Sequence, residues 1–123
     1  PRVAGMFDSF HPGVLRALQL IVDEAKAADI EVSICGEIAG DPIGAIILSA
    51  MGYRNLSMSS TSLLKVKSVL RQISHSWAVE LLRDVTKLDD PRVVRATIEL
   101  ALQSQDISLS KLLYIYLKNW RYL

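Results

Sequence analysis

A chain of 123 residues, 50% of them hydrophobic, has the length and apolar content for one buried core, which excludes a disordered tether. Its 14 Lys and Arg against 13 Asp and Glu leave a net charge of +1, so no global field draws it to nucleic acid or to an anionic membrane. One cysteine cannot form an internal disulfide, two histidines make no zinc-ligand cluster, and no apolar run approaches the ~20 residues that span a bilayer. The expected setting is soluble, reducing and cytoplasmic, and the start at Pro1-Arg2 fits a piece of a longer protein.

In chain order, His11-Pro12-Gly13 opens a segment in which Val14, Leu15, Leu18, Ile21, Val22 and Ala25 recur at three- and four-residue spacing. That pattern predicts an amphipathic helix with proline in its first turn, where a missing N–H costs least. Residues 30–35, I-E-V-S-I-C, alternate apolar and polar side chains as a half-buried strand does. A turn over Gly36 to Asp41 follows, then an apolar helix from Pro42 through Ile43 to Met51, stopped by Gly52. Tyr53 to Met58 forms the next strand, and the serine-rich run at Ser59 to Ser62 precedes a third helix. A strand–helix–strand crossover of this length predicts parallel pairing.

From Leu63 onward the period stays helical, through Leu63 to Ile73, Trp77 to Thr86 and Pro91 to Gln103. Asp89-Asp90-Pro91 is a helix start, and Asp106 or Ser108 caps a last helix running through Leu109, Leu112, Leu113, Ile115 and Tyr116. The aromatic residues from Tyr114 to Tyr122, with Trp120 among them, serve either a core or an interface.

In parallel α/β architectures the strand C-termini and the loops after them form the functional face, which places Cys35, Gly36 and Glu37 beside Ser57 to Ser60. An ordinary thiol, with a pKa near ~8.5, is mostly protonated at neutral pH and suits a proton donor. Taken alone, a single cysteine ending a strand is more often a small core residue. His11 and His75 read as helix-start or surface residues. The hydroxyl run at Ser59 to Ser62 reads as a helix cap or as a phosphate-binding loop, the cap being the commoner use. Arg54, Lys65, Lys67 and Arg71 form no stripe interleaved with aromatics, and Gly36 and Gly40 lack dinucleotide or P-loop spacing.

The string V-S-I-C-G-E-I-A-G-D-P at residues 32–42, continued by I-G-A-I-I-L-S-A-M-G-Y and then N-L-S-M-S-S-T-S, closely resembles the end of the phosphoenolpyruvate-binding barrel of phosphotransferase-system enzyme I. The resemblance covers about residues 1–73 and fades beyond. It implies an α/β fold, the C-terminal fragment of a (β/α)₈ TIM barrel with about two parallel strands; the helical period predicts an all-helical part at residues 74–123 after it. The resemblance also implies that Cys35 protonates the enolpyruvate as phosphoryl leaves for an active-site histidine, with Gly36 and Glu37 next to the substrate. Phosphoenolpyruvate, a histidine-containing phosphocarrier protein and a second copy in a homodimer are the implied partners. Mg²⁺ is the implied cofactor, its ligands, the substrate-gripping arginines and the phosphorylated histidine all lying outside this sequence. An arginine and an N-D pair are thus expected just upstream of Pro1. H-P-G-V-L-R-A-L and D-P-I-G-A resemble the nitrogen-related branch of the family more than the sugar-transport branch. Two other readings stand beside this one: a non-catalytic dimerisation module, and a fragment of a pyruvate phosphate dikinase or phosphoenolpyruvate synthase.

Overall fold

The computed structural model describes residues 8–107, and the expected last helix with its aromatic residues lies outside them. In chain order the elements are α1 (Pro12–Ala27), β1 (Ser33–Ile34), α2 (Glu37–Gly40), α3 (Pro42–Met51), β2 (Asn55–Leu56), α4 (Ser60–Leu70), α5 (His75–Val85) and α6 (Pro91–Ser104). The described part is mostly helical, with one two-stranded parallel sheet in which Ser33 stands opposite Asn55 and Ile34 opposite Leu56.

Helix starts follow their chemistry. Asp41 and Asp90 each precede a proline at the first helical position, and each carboxylate accepts the N–H of the second residue beyond, Ile43 at 3.0 Å and Arg92 at 2.9 Å. Ser74 does the same for α5 by accepting the N–H of Trp77, and His11 Nδ1 accepts the N–H of Gly13 at the head of α1. Helix ends share another device. Gly52 lies in the left-handed region, and the Tyr53 N–H turns back to the Leu48 carbonyl at 3.0 Å. Asp29 and Asp106 adopt the same hand, with Ile30 bonding back to Ala25 and Ile107 to Leu102. Asp106 therefore closes α6.

Two expectations need correction. The strands shrink from six residues each to two, because among the described residues each has a single neighbour and little ladder to extend. The expected turn at residues 36–41 contains a short helix, α2, whose Ile38 and Ala39 are buried.

The core is organised around α3, which is apolar on all sides and has eight buried residues from Ile43 to Met51. It packs against α1, α2, α4, α5 and α6. Leu81, Leu82 and Val85 of α5 and Val94, Ile98 and Leu102 of α6 join one continuous cluster with Ile46, Ile47 and Leu48. The hydroxyl of buried Tyr53, just before β2, donates to the Leu18 carbonyl at 2.7 Å and ties the approach to β2 to α1. No described helix is long and apolar enough to cross a membrane.

Candidate functional site

Because β1 and β2 are parallel, the loops that follow them emerge at the same end of the sheet. The ladder continues into those loops: the Ser57 N–H donates to the Ile34 carbonyl at 2.8 Å. Between them lies a cleft of about 590 Å³, walled by Gly36, Glu37, Gly40 and Asp41 on one side and Ser57, Met58, Ser59 and Ser62 on the other. Cys35 directly follows β1 and is exposed, so the thiol is not the small core residue that cysteines commonly are.

The chain leaves Cys35 through Gly36, whose φ of 95° and ψ of −174° belong to a region that essentially only glycine adopts. This conformation turns the backbone into α2, where the Gly36 carbonyl accepts the N–H groups of Ala39 and Gly40. Glu37 is thereby the first residue of α2, with its side chain exposed beside the cleft. Gly40 lies close to α4: a Cβ there would come within 3.2 Å of the Ser62 hydroxyl. At Gly44 the approach is tighter still, since a Cβ would overlap the Ile38 carbonyl oxygen and lie 2.7 Å from Ile38 Cγ1. The two glycines let α2 sit tightly between α3 and α4.

The serine run behaves differently from an ordinary cap. Ser59 occupies the N-cap position of α4, yet its hydroxyl bonds to the hydroxyls of Thr61 and Ser62, at 3.0 and 3.1 Å, rather than to a backbone N–H. His11 and His75 are at helix starts, away from the cleft.

Sequence reasoning missed two side chains. Asp41 caps α3 through Oδ1 and through Oδ2 takes a 2.8 Å ion pair from Arg95 of α6. Arg95 also bonds Glu99 at 3.2 Å and lies over the Phe10 ring, 5.3 Å from its centre. The hydrogen bond that Arg95 donates to Asp41 is the main cause that raises the Arg95 pKa above its ordinary value, outweighing partial burial. The Asp-Pro pair was a usable signal for the cap; nothing local announces a partner 54 residues away. Among the described residues no three His, Cys, Asp or Glu side chains gather as metal ligands.

In open α/β sheets ligands bind outside the carboxyl ends of the strands, which is where this cleft lies. A family model described as the PEP-binding domain of PEP-utilising enzymes matches residues 1–75, and the chain belongs to that family. It is 46% identical over 82 residues to a protein of Salmonella typhimurium named "Phosphoenolpyruvate-dependent phosphotransferase system", which covers 67% of this chain and 11% of that one. A protein of the same name from Escherichia coli is 46% identical over 80 residues, 65% of this chain and 11% of that one. A phosphoenolpyruvate-protein phosphotransferase of Borreliella burgdorferi is 32% identical over 88 residues, 72% of this chain and 15% of that one. The chain thus spans a small part of the length of these relatives.

Proposed function

We propose that this chain supplies the closing strand–helix units of the (β/α)₈ barrel of a phosphoenolpyruvate-protein phosphotransferase, and that Cys35 is the acid of its half-reaction. As the phosphorus–oxygen bond of phosphoenolpyruvate breaks and phosphoryl passes to a histidine nitrogen, the bond's electron pair stays on oxygen and leaves the enolate of pyruvate. The oxygen pair then closes the ketone while the electron pair of the carbon–carbon double bond takes the Cys35 thiol proton, giving the methyl group of pyruvate. The thiolate regains its proton from water, and the phosphohistidine passes its phosphoryl to a phosphocarrier protein. The observation that supports this reading is an exposed cysteine directly after a parallel strand, next in sequence to the cleft-lining Gly36, inside a matched PEP-binding domain.

Gly36 shapes the exit from the thiol, and Glu37 is the charged neighbour of the substrate. Homodimerisation and the nitrogen-related branch come with the same resemblance. Mg²⁺, which the same resemblance implies, would supply charge neutralisation at the phosphate when bound; among the described residues no three His, Cys, Asp or Glu side chains gather to hold it. The chain alone is expected not to turn over.

The test uses the phosphotransferase that contains this sequence. Cys35→Ser, which keeps the side-chain size, is expected to slow pyruvate formation by about 10²–10⁴-fold, as for a lost general acid, and to change phosphoenolpyruvate binding little. Full turnover of the serine variant would overturn the assignment.

A further inference from the structure

Arg95 joins three segments that are distant in sequence. Its guanidinium pairs with Asp41 at 2.8 Å, with Glu99 at 3.2 Å on its own helix, and lies over Phe10, which is 4% exposed and precedes α1. Asp41 is more than a cap. Its backbone N–H donates to the Glu37 carbonyl at 3.0 Å, so the same residue ends α2 and begins α3. A cleft of about 230 Å³, with Phe10, Glu37, Asp41 and Arg95 among its walls, lies under this junction.

The four-residue α2 has little helix of its own to hold it, since isolated short helices are marginal in water. Its anchors are the buried Ile38 and Ala39, the close approach at Gly44, and the carboxylate of Asp41. Of these, the carboxylate alone ties it to an element beyond the matched residues 1–75 through a charged contact. A planar guanidinium suits the task, because its fork engages carboxylates directionally while its flat face stacks on a ring.

We propose that Arg95 is a positioning residue: through Asp41 it makes α6 hold the segment from Gly36 to Asp41, and with it the backbone that follows Cys35. The consequence for catalysis rests on the reading of Cys35 as the acid; the positioning itself does not.

Amide hydrogen exchange on the 123-residue chain reads the positioning directly. In Arg95→Met, exchange at the N–H groups of Ala39, Gly40 and Asp41 is expected to quicken at least about tenfold beyond any change at the α5 core amides of Leu82 and Val85. Asp41→Asn, which keeps a good cap but loses the charge, is expected to loosen the same three amides. Arg95→Lys, which keeps charge without the fork, is expected to recover them in part. Uniform quickening across α5 and α2, or no local change in either Arg95→Met or Asp41→Asn, would overturn the proposal. In the intact phosphotransferase Arg95→Met is expected to lower kcat about tenfold with KM for phosphoenolpyruvate nearly kept. A loosened segment with unchanged kcat would refute the catalytic consequence, whereas an active Cys35→Ser with the exchange pattern intact would refute only the acid role.

Discussion

Tyr53 illustrates how much one polar atom is asked to do in an apolar setting. Its ring is buried and its hydroxyl donates to the Leu18 carbonyl, so burial first and the nearby Asp23 carboxylate second raise its pKa above the ordinary value. The fold therefore favours the neutral phenol. Its contribution to stability is complete below the unfolded pKa, near ~10, and is lost as pH climbs from there through the raised folded value. Tyr53→Phe is expected to cost about 0.5–1.5 kcal/mol at neutral pH, the usual worth of one hydrogen bond, and to lessen the loss of stability above pH ~10. Urea titrations of both proteins across that range check it; identical alkaline slopes would contradict the account. The sequence announced Tyr53 only as the first residue of a strand. Its hydrogen bond reaches back 35 residues, and no local pattern encodes it.

Among the elements, α3 and α2 form the unit on which the site depends. Helix α3 was legible from end to end, because Pro42 and Gly52 punctuate an unbroken apolar run. Helix α2 was not, since a four-residue turn of helix carries no period and Gly36 and Gly40 read equally well as loop. The parallel pairing of β1 and β2 followed from the crossover length, while their extent did not, because strand length depends on neighbours that a local pattern cannot supply. Of the residues expected side by side, Gly36 and Glu37 share a cleft with Ser57 and Ser59, while Cys35 and Ser60 are not among its walls. Gly44→Ala tests the α2–α3 contact. The added methyl meets the backbone of Ile38, which a rotamer change cannot relieve, so α2 must move; overpacking of this kind costs about 1–3 kcal/mol. Thermal melts are expected to show that loss, and new chemical shifts should concentrate at residues 36–41. An unchanged spectrum there would mean the contact is looser than described.

At the scale of the whole molecule, a single cluster joins α5 and α6 to the strand–helix–strand unit, yet the surface is not finished everywhere. Leu20 is 61% exposed, Ile30 64% and Leu100 65%, and neither strand has a second neighbour among the described residues. Open strand edges and exposed apolar side chains favour association. Sedimentation equilibrium of the 123-residue chain is expected to reveal mass that rises with concentration; strictly monomeric behaviour at high concentration would contradict this.

The central claim is that Cys35 delivers a proton from a fixed position to one face of an enolate. A phosphoenolpyruvate labelled with deuterium and tritium at its methylene carbon, turned over by the intact phosphotransferase in ordinary water, reads that face as the handedness of the pyruvate methyl group. The wild-type enzyme is expected to give one enantiomer in large excess, and Cys35→Ser a nearly racemic methyl, because water then protonates the enolate from either side. Retention of single-face protonation at full rate in the serine variant would make Cys35 a bystander and contradict the account.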